Sequence, residues 1–179
     1  MKFIKAYIKI VDKINSKLGY YISWLTLLLV LVTCFDVFTR YILNESSVAL
    51  QELEWHLFSI IFLMAASYTL ITDDHVRVDV FYSRFSEKQK AWVNFIGAIL
   101  FLIPFCVLVI YSSQNFVITS FQLKETSPDA GGLPARYILK SFIPFSFVFL
   151  FFQGISFAFK SFNKGKSTSL NMFHFSFSS

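Results

Sequence analysis

The stretch YYISWLTLLLVLVTCFDVFTRY, residues 20–41, decides the fold because it is almost entirely apolar until it reaches Asp36 and Arg40. A helix needs roughly 20 mostly apolar residues to cross the hydrocarbon core of a bilayer. The stretch therefore predicts a transmembrane helix. Three further segments have the same character, at about residues 55–72, 91–121 and 137–159. In the third, Pro104 predicts a kink because proline removes a backbone hydrogen bond.

The composition supports a membrane protein over a soluble one. The chain has 179 residues, of which 55% are hydrophobic and 15% are charged, whereas a soluble domain carries about 25% charged residues. We predict an all-α integral membrane protein with a single four-helix domain over residues 1–160 and a polar cytoplasmic tail over 161–179. Cys34 and Cys106 are spaced for neither a disulfide framework nor a zinc site.

The basic residues predict the orientation of the spans. Most of the 16 Lys and Arg residues precede the first span, lie between the second and third, or follow the fourth. The positive-inside rule then places both termini in the cytoplasm. This distribution also explains the net charge of +5 without a nucleic-acid partner. The three tryptophans, Trp24, Trp55 and Trp92, lie near predicted span ends, where an aromatic belt is expected.

The segment before the first span has an amphipathic pattern. Lysines recur every four residues from Lys5 to Lys17, and an apolar stripe from Phe3 to Leu18 runs beside them. This pattern predicts a helix that lies on the anionic lipid surface at the membrane interface. The alternative is a disordered basic tail.

Asp36 and Arg40 are spaced to form an i, i+4 ion pair at the outer end of the first span. That position is too shallow for a coupling-ion site at the bilayer midplane. Arg40 can extend to the interface and carry Asp36 as its partner. We predict an anchor or inter-helix pair. Contact with a partner protein and a part in transport remain the alternatives.

The stretch LQELEWHLF, residues 50–58, opens the second span with three polar groups, Glu52, Glu54 and His56. Glu52 and His56 share one helix face and Glu54 points elsewhere, so at least one face should meet protein rather than lipid. Two ligands make a weak metal site. His56 and His75 flank the same span, about 28 Å apart along a helix, so they cannot ligate one haem.

Two connections carry further candidate contacts. After the second span, DDHVRVDVFYSRFSEKQKAW (73–92) alternates valines with Arg77 and Asp79, which favours an extended or interfacial segment. It is either a docking surface for another subunit or a solvated loop. The outer connection LKETSPDAGGLPAR (123–136) has turn-forming residues and predicts a structured turn or a contact with an external protein.

The central parts of the spans contain no Asp, Glu, Lys, Arg or His. Their strongest polar residues are Gln114, Asn115 and Gln153. An ion-coupled carrier normally needs polar or ionisable groups near the midplane, so we predict a supporting subunit. A stand-alone oligomeric transporter or channel, with these three residues lining its pore, is the alternative. A membrane enzyme or electron carrier is disfavoured because the sequence contains no catalytic constellation.

Together these segments resemble the small membrane subunit (DctQ type) of tripartite ATP-independent periplasmic (TRAP) transporters over about residues 15–160. Four stretches carry the resemblance: DVFTRYIL (36–43), QELEW (51–55), DDHVRVDVFYSR (73–84) and ETSPDAGGLPARYILKSFIPFSF (125–147). The last is similar to the mannitol or chloroaromatic branch. One departure is RFSEKQKAW (84–92), where many relatives have a proline after the serine.

The resemblance implies a non-enzymatic part, without a cofactor, of a three-component importer in the bacterial inner membrane. A periplasmic solute-binding protein would deliver an organic acid or related solute, and a large membrane subunit would carry it inward by sodium symport. The small subunit would brace the large one among the membrane lipids. Five residues in motif positions, Arg40, Glu52, His75, Arg77 and Asp79, would be structural or subunit-facing.

Overall fold

The computed structural model describes residues 2–72 and 84–176, with side chains as far as residue 166. Four long helices make up the architecture: α1 (Lys2–Ile42), α2 (Val48–Thr72), α3 (Glu87–Gln122) and α4 (Arg136–Ser176). Each contains a stretch long and apolar enough to cross a membrane. The described ranges contain no strand. The predicted all-α fold with four spans is therefore confirmed.

The N-terminal segment is helical, as predicted, and it is continuous with the first span as part of α1. Tyr7, Asp12 and Asn15 of this segment contact α4. Tyr7 Oη donates to the Phe152 carbonyl at 3.0 Å, and Asn15 Nδ2 donates to Gln153 Oε1 at 2.8 Å. The Tyr7 ring also packs edge-on against the Phe159 ring, with 6.3 Å between the ring centres. The amino-terminal part of α1 therefore packs against the middle of α4.

α3 begins with a capping box, in which Ser86 Oγ accepts from the Gln89 backbone N–H and the Gln89 side chain accepts from the Ser86 N–H. Farther along, a π-helical turn covers Ala98–Leu102 and ends just before Pro104. Proline cannot donate the bond that the carbonyl four residues earlier would accept. That carbonyl belongs to Leu100, inside the π turn, and the helix then continues to Gln122. The structure thus accommodates Pro104 by a local change of helical pitch.

The core lies where α2, α3 and α4 meet. Leu70, Cys106 and Leu150 are buried there, and partly buried phenylalanines and alkyl side chains surround them. Many large apolar side chains elsewhere are exposed, such as Phe62 and Phe101. In a soluble protein such a surface would be unfavourable, but it suits helices that face lipid or another membrane subunit.

One end of the bundle holds three of the six described ion pairs, Asp36–Arg40, Glu52–Arg136 and Glu125–Lys140. The connections 43–47 and 123–135 lie at this end, together with the start of α2 and the start of α4. We call it the clamp end, for the contacts of Glu52 described below.

Candidate functional site

Asp36 and Arg40 form the i, i+4 ion pair that their spacing predicts, through Asp36 Oδ2 and Arg40 Nη2. Asp36 is only 1% exposed, whereas 41% of the Arg40 side chain is exposed. The second carboxylate oxygen, Oδ1, has no hydrogen-bond partner among the described residues. The arginine therefore extends outward from a buried acid, as a charged side chain near a membrane interface does.

Glu52 is the centre of the clamp end. Its Oε1 accepts from Ser127 Oγ at 2.5 Å and from Arg136 Nη2 at 2.7 Å, and its Oε2 accepts from the Leu133 backbone N–H at 2.6 Å. The residue is 4% exposed. One carboxylate of α2 thus ties together both sides of the 123–135 connection and the first residue of α4. We call Glu52, Ser127, Leu133 and Arg136 the Glu52 clamp.

The backbone of the 123–135 connection passes close to the Glu52 carboxylate. Gly131 adopts a φ of 82°, which glycine tolerates at little cost. A Cβ on Gly132 would lie 2.9 Å from Glu52 Oε2 and closer still to Ser127. The Ser127 N–H donates to the Leu133 carbonyl at 3.1 Å, which closes the loop on itself. Two glycines in sequence therefore allow the backbone to reach the carboxylate.

The cations that open α4 also contact aromatic rings. The Arg136 guanidinium carbon lies 5.7 Å from the centre of the Trp55 ring, and Lys140 Nζ lies 4.0 Å from the centre of the Phe116 ring. Lys140 forms an ion pair with Glu125 of the connection. Both distances fall within the range of cation–π attraction, so α2, α3 and α4 meet through charged groups as well as through apolar packing.

The Glu125–Lys140 pair predicts a pH dependence of stability. The hydrogen bond from Lys140 holds the pKa of Glu125 below its usual value of 4.5. A depressed pKa in the folded state stabilises the fold above the unfolded pKa, and this contribution is lost as the pH falls through the folded value. We expect Glu125→Gln to lower the melting temperature slightly at pH 7, with the difference from wild type shrinking below pH 4.5 and vanishing once the pH is below the folded pKa of Glu125. Asp129→Asn, in the same connection, is the control, and a difference that persists in acid would contradict the assignment.

The remaining predicted residues of the clamp end are arranged differently from a metal site. His56 Nδ1 donates to the Glu52 backbone carbonyl at 2.5 Å, while the Glu52 carboxylate is held by the connection. Glu54 Oε1 is buried without a hydrogen-bond partner in the described part of the chain. Within that part there is no group of three or more residues able to hold a metal ion. His75, Arg77 and Asp79 lie outside the described residues.

A second polar cluster joins the amino-terminal part of α1 to α4. Gln153 is completely buried. Besides its bond with Asn15, its Nε2 donates to Asp12 Oδ1 at 3.0 Å, and Lys160 Nζ pairs with Asp12 Oδ2 at 2.6 Å. Ser156 Oγ also donates to Asp12, at 3.2 Å. This cluster connects two helices.

The three polar residues singled out in the spans do not share a surface. Gln114 and Asn115 are exposed on α3, next to Phe116, whose ring lies under Lys140 at the clamp end. Gln153 is buried against α1. These side chains therefore cannot line one path together.

The family comparison agrees with this architecture. The family model described as "Tripartite ATP-independent periplasmic transporters, DctQ component" matches residues 29–164. The chain belongs to this family. No curated protein matches it. The DctQ chain is thus a component of a transporter and not an enzyme, and it is a multi-pass membrane protein.

The matched range covers one of the two polar clusters completely and the other only in part. It includes the whole Glu52 clamp and the Asp36–Arg40 pair of this DctQ chain, but it begins after Asp12 and Asn15. Proteins of this family function with a large membrane subunit and a periplasmic binding protein.

Sequence reasoning missed several members of these clusters. Arg136 and Lys140 lie four residues apart at the start of α4, and acids lie in the connection before it, which was a usable signal of ion pairing. Asp12 and Asn15 had no such signal, because their partners lie more than a hundred residues away in sequence.

Proposed function

We propose that this DctQ chain is the small, non-catalytic membrane subunit that braces the large transport subunit of a TRAP system. The system would take up an organic acid or related solute, delivered by a periplasmic solute-binding protein and driven by a sodium gradient. We place the chain in the bacterial inner membrane with both termini in the cytoplasm. The clamp end then faces the periplasm.

The observation that carries this proposal is the internal use of the buried polar groups. Glu52 accepts three hydrogen bonds from the connection and α4, and Gln153 bonds to Asn15 and Asp12. Groups that handle a solute or an ion must be able to exchange their partners. Groups locked between helices instead make a rigid bundle, which suits a scaffold.

The charged residues divide into two roles in this proposal. Glu52 is structural. Arg40, directed outward by Asp36, contacts the large subunit together with the Glu54–His56 edge of α2. His75, Arg77 and Asp79 extend the same subunit-facing set. The exposed 41% of the Arg40 side chain supports this placement, since its partner acid is buried.

Affinity purification from native membranes tests the scaffold role. A tagged chain should bring down a much larger polytopic membrane protein in a fixed stoichiometry. Vesicles that contain this chain alone should show no sodium-dependent uptake of labelled organic acids, and uptake should require the large subunit and the binding protein. Uptake by the lone chain would contradict the proposal and support the stand-alone channel.

Gln153→Leu separates the scaffold from the channel. It removes two hydrogen bonds between helices, and an unpaired buried polar group costs about 1–3 kcal/mol. We therefore expect less assembled complex, while the complex that does form keeps its KM for solute. Gln114→Leu, on the exposed surface of α3, should change neither quantity. A pore lined by these residues would instead lose transport in both variants at unchanged assembly.

A further inference from the structure

A groove runs along the outside of the bundle from the clamp end toward its middle. It encloses about 420 Å³ between α2, α3 and α4. Its walls are apolar, with Phe58 and Phe62 on one side and Leu139 and Ile143 on the other, and Arg136 and Lys140 border it. Phe62 lies about 10 Å along α2 from Trp55. The groove therefore combines a cationic head with an apolar trough.

The cationic head has donor capacity that the protein leaves unused. Both described hydrogen bonds of the Arg136 side chain come from Nη2, to Glu52 and to Ser127. Nη1, the other terminal nitrogen of the guanidinium, has no hydrogen bond among the described residues. An acceptor in the groove can therefore bond to this nitrogen.

The chemistry of the groove limits the kind of molecule that can bind there. The occupant needs an oxygen-rich acceptor for Arg136, which recognises phosphate well, and an apolar chain for the trough. Trp55 beside Arg136 belongs to a residue type enriched at the level of lipid headgroups. Because Glu52 and Glu125 already balance the charges of Arg136 and Lys140, the occupant needs no large negative charge.

We propose that this groove binds one glycerophospholipid. Its phosphate accepts hydrogen bonds from Arg136 and Lys140, and one acyl chain lies in the trough past Phe58 and Phe62. The lipid would fill the surface between α2 and α4 next to the Glu52 clamp. This proposal does not depend on the scaffold role, because it requires only that the chain is embedded in a membrane.

Native mass spectrometry of the full chain tests the proposal. The chain is purified in dodecyl maltoside, a detergent with an alkyl chain and no phosphate, and is then offered phosphatidylethanolamine. We expect one lipid retained per chain. Ser59→Phe, which fills the trough without touching either cation, should reduce retention roughly tenfold, the equivalent of about 1.4 kcal/mol. Ser112→Phe is the matched control, since Ser112 is an exposed serine of α3 outside the groove.

A second pair of variants tests the headgroup contact. Lys140→Met keeps the apolar stem and removes the ammonium group, and it should also weaken retention. Lys124→Met, in the exposed part of the preceding connection, should not. Inorganic phosphate should fail to displace the lipid, because it lacks the acyl chain.

Three results would overturn the proposal. The first is equal retention by Ser59→Phe and Ser112→Phe, which would mean that lipid adheres outside the groove. The second is displacement by inorganic phosphate, which would make the site a plain anion site. The third is a complex in which a helix of another protein fills the groove. If Lys140→Met fails to fold, the comparison of Ser59→Phe with Ser112→Phe still tests whether lipid binds in the groove.

Discussion

Replacing Glu52 should lower the melting temperature of the chain by roughly 5–10 °C, because breaking a buried ion pair leaves its partner uncompensated. Glu52→Ala removes the acceptor of the Ser127 hydroxyl and of the Leu133 N–H, and it leaves Arg136 with only its bond to Ser127 Oγ. Glu52→Gln should be almost as damaging, although it preserves the size of the side chain. Whichever way the amide turns, its NH2 group faces either the Leu133 N–H or the Arg136 guanidinium, and two donors cannot pair.

Thermal unfolding in detergent, followed by size-exclusion chromatography, measures this effect. Glu45→Gln is the matched control, because Glu45 is an exposed acid in the other connection at the clamp end. It should melt like wild type. A Glu52→Gln variant that is indistinguishable from Glu45→Gln would mean that the carboxylate is not what holds the connection in place.

The number and type of the helices could be predicted from sequence because a bilayer imposes a length on every span. The helix ends could not. Hydropathy marks only the apolar part of a helix, whereas backbone hydrogen bonding continues into polar segments that lack a stop signal. α1 therefore begins at Lys2, well before the apolar run at 20–41, and α4 continues to Ser176, through the segment predicted as a polar tail.

The site was predictable only where its contacts are local. Asp36 and Arg40 lie one helical turn apart, so their spacing alone predicts the pair. Glu52 was singled out as a polar residue that needs a protein partner, but its partners are 75 to 84 residues away. Those contacts form because the connection between α3 and α4 folds back onto α2. The spacing of residues in sequence does not predict this.

The contacts of Gln153 could not be predicted from sequence either. Its position in an apolar span attracts attention as a group that could line a pore. The structure instead buries it against Asn15 of the amino-terminal segment, a segment that amphipathic periodicity assigns to the membrane surface. Only the packing of α1 against α4 brings the two side chains together, and periodicity describes each helix separately.

The close approach of α1 and α2 gives the second large effect, at Gly19. A Cβ at this position would lie 2.7 Å from Tyr68 Cγ and equally close to Cε2, with Cδ2 nearer still. Cγ is the anchored end of the tyrosine side chain, so the ring cannot relieve the overlap by a small swing of its tip. We expect Gly19→Ala to destabilise the bundle by about 1–3 kcal/mol, the usual cost of overpacking, and a thermal or denaturant unfolding curve measures it.

A double-mutant cycle with Tyr68→Ala isolates this contact. Without the ring, alanine at position 19 meets no clash from residue 68, and its higher helix propensity should stabilise α1 by up to about 1 kcal/mol. The sign of the Gly19→Ala effect should therefore reverse in the Tyr68→Ala background. Gly97→Ala is the matched control, because nothing lies within 4 Å of a Cβ built there, so it should be neutral or stabilising in both backgrounds. If Gly19→Ala destabilises equally with and without the Tyr68 ring, the close packing of α1 on α2 at this point is not what makes glycine necessary.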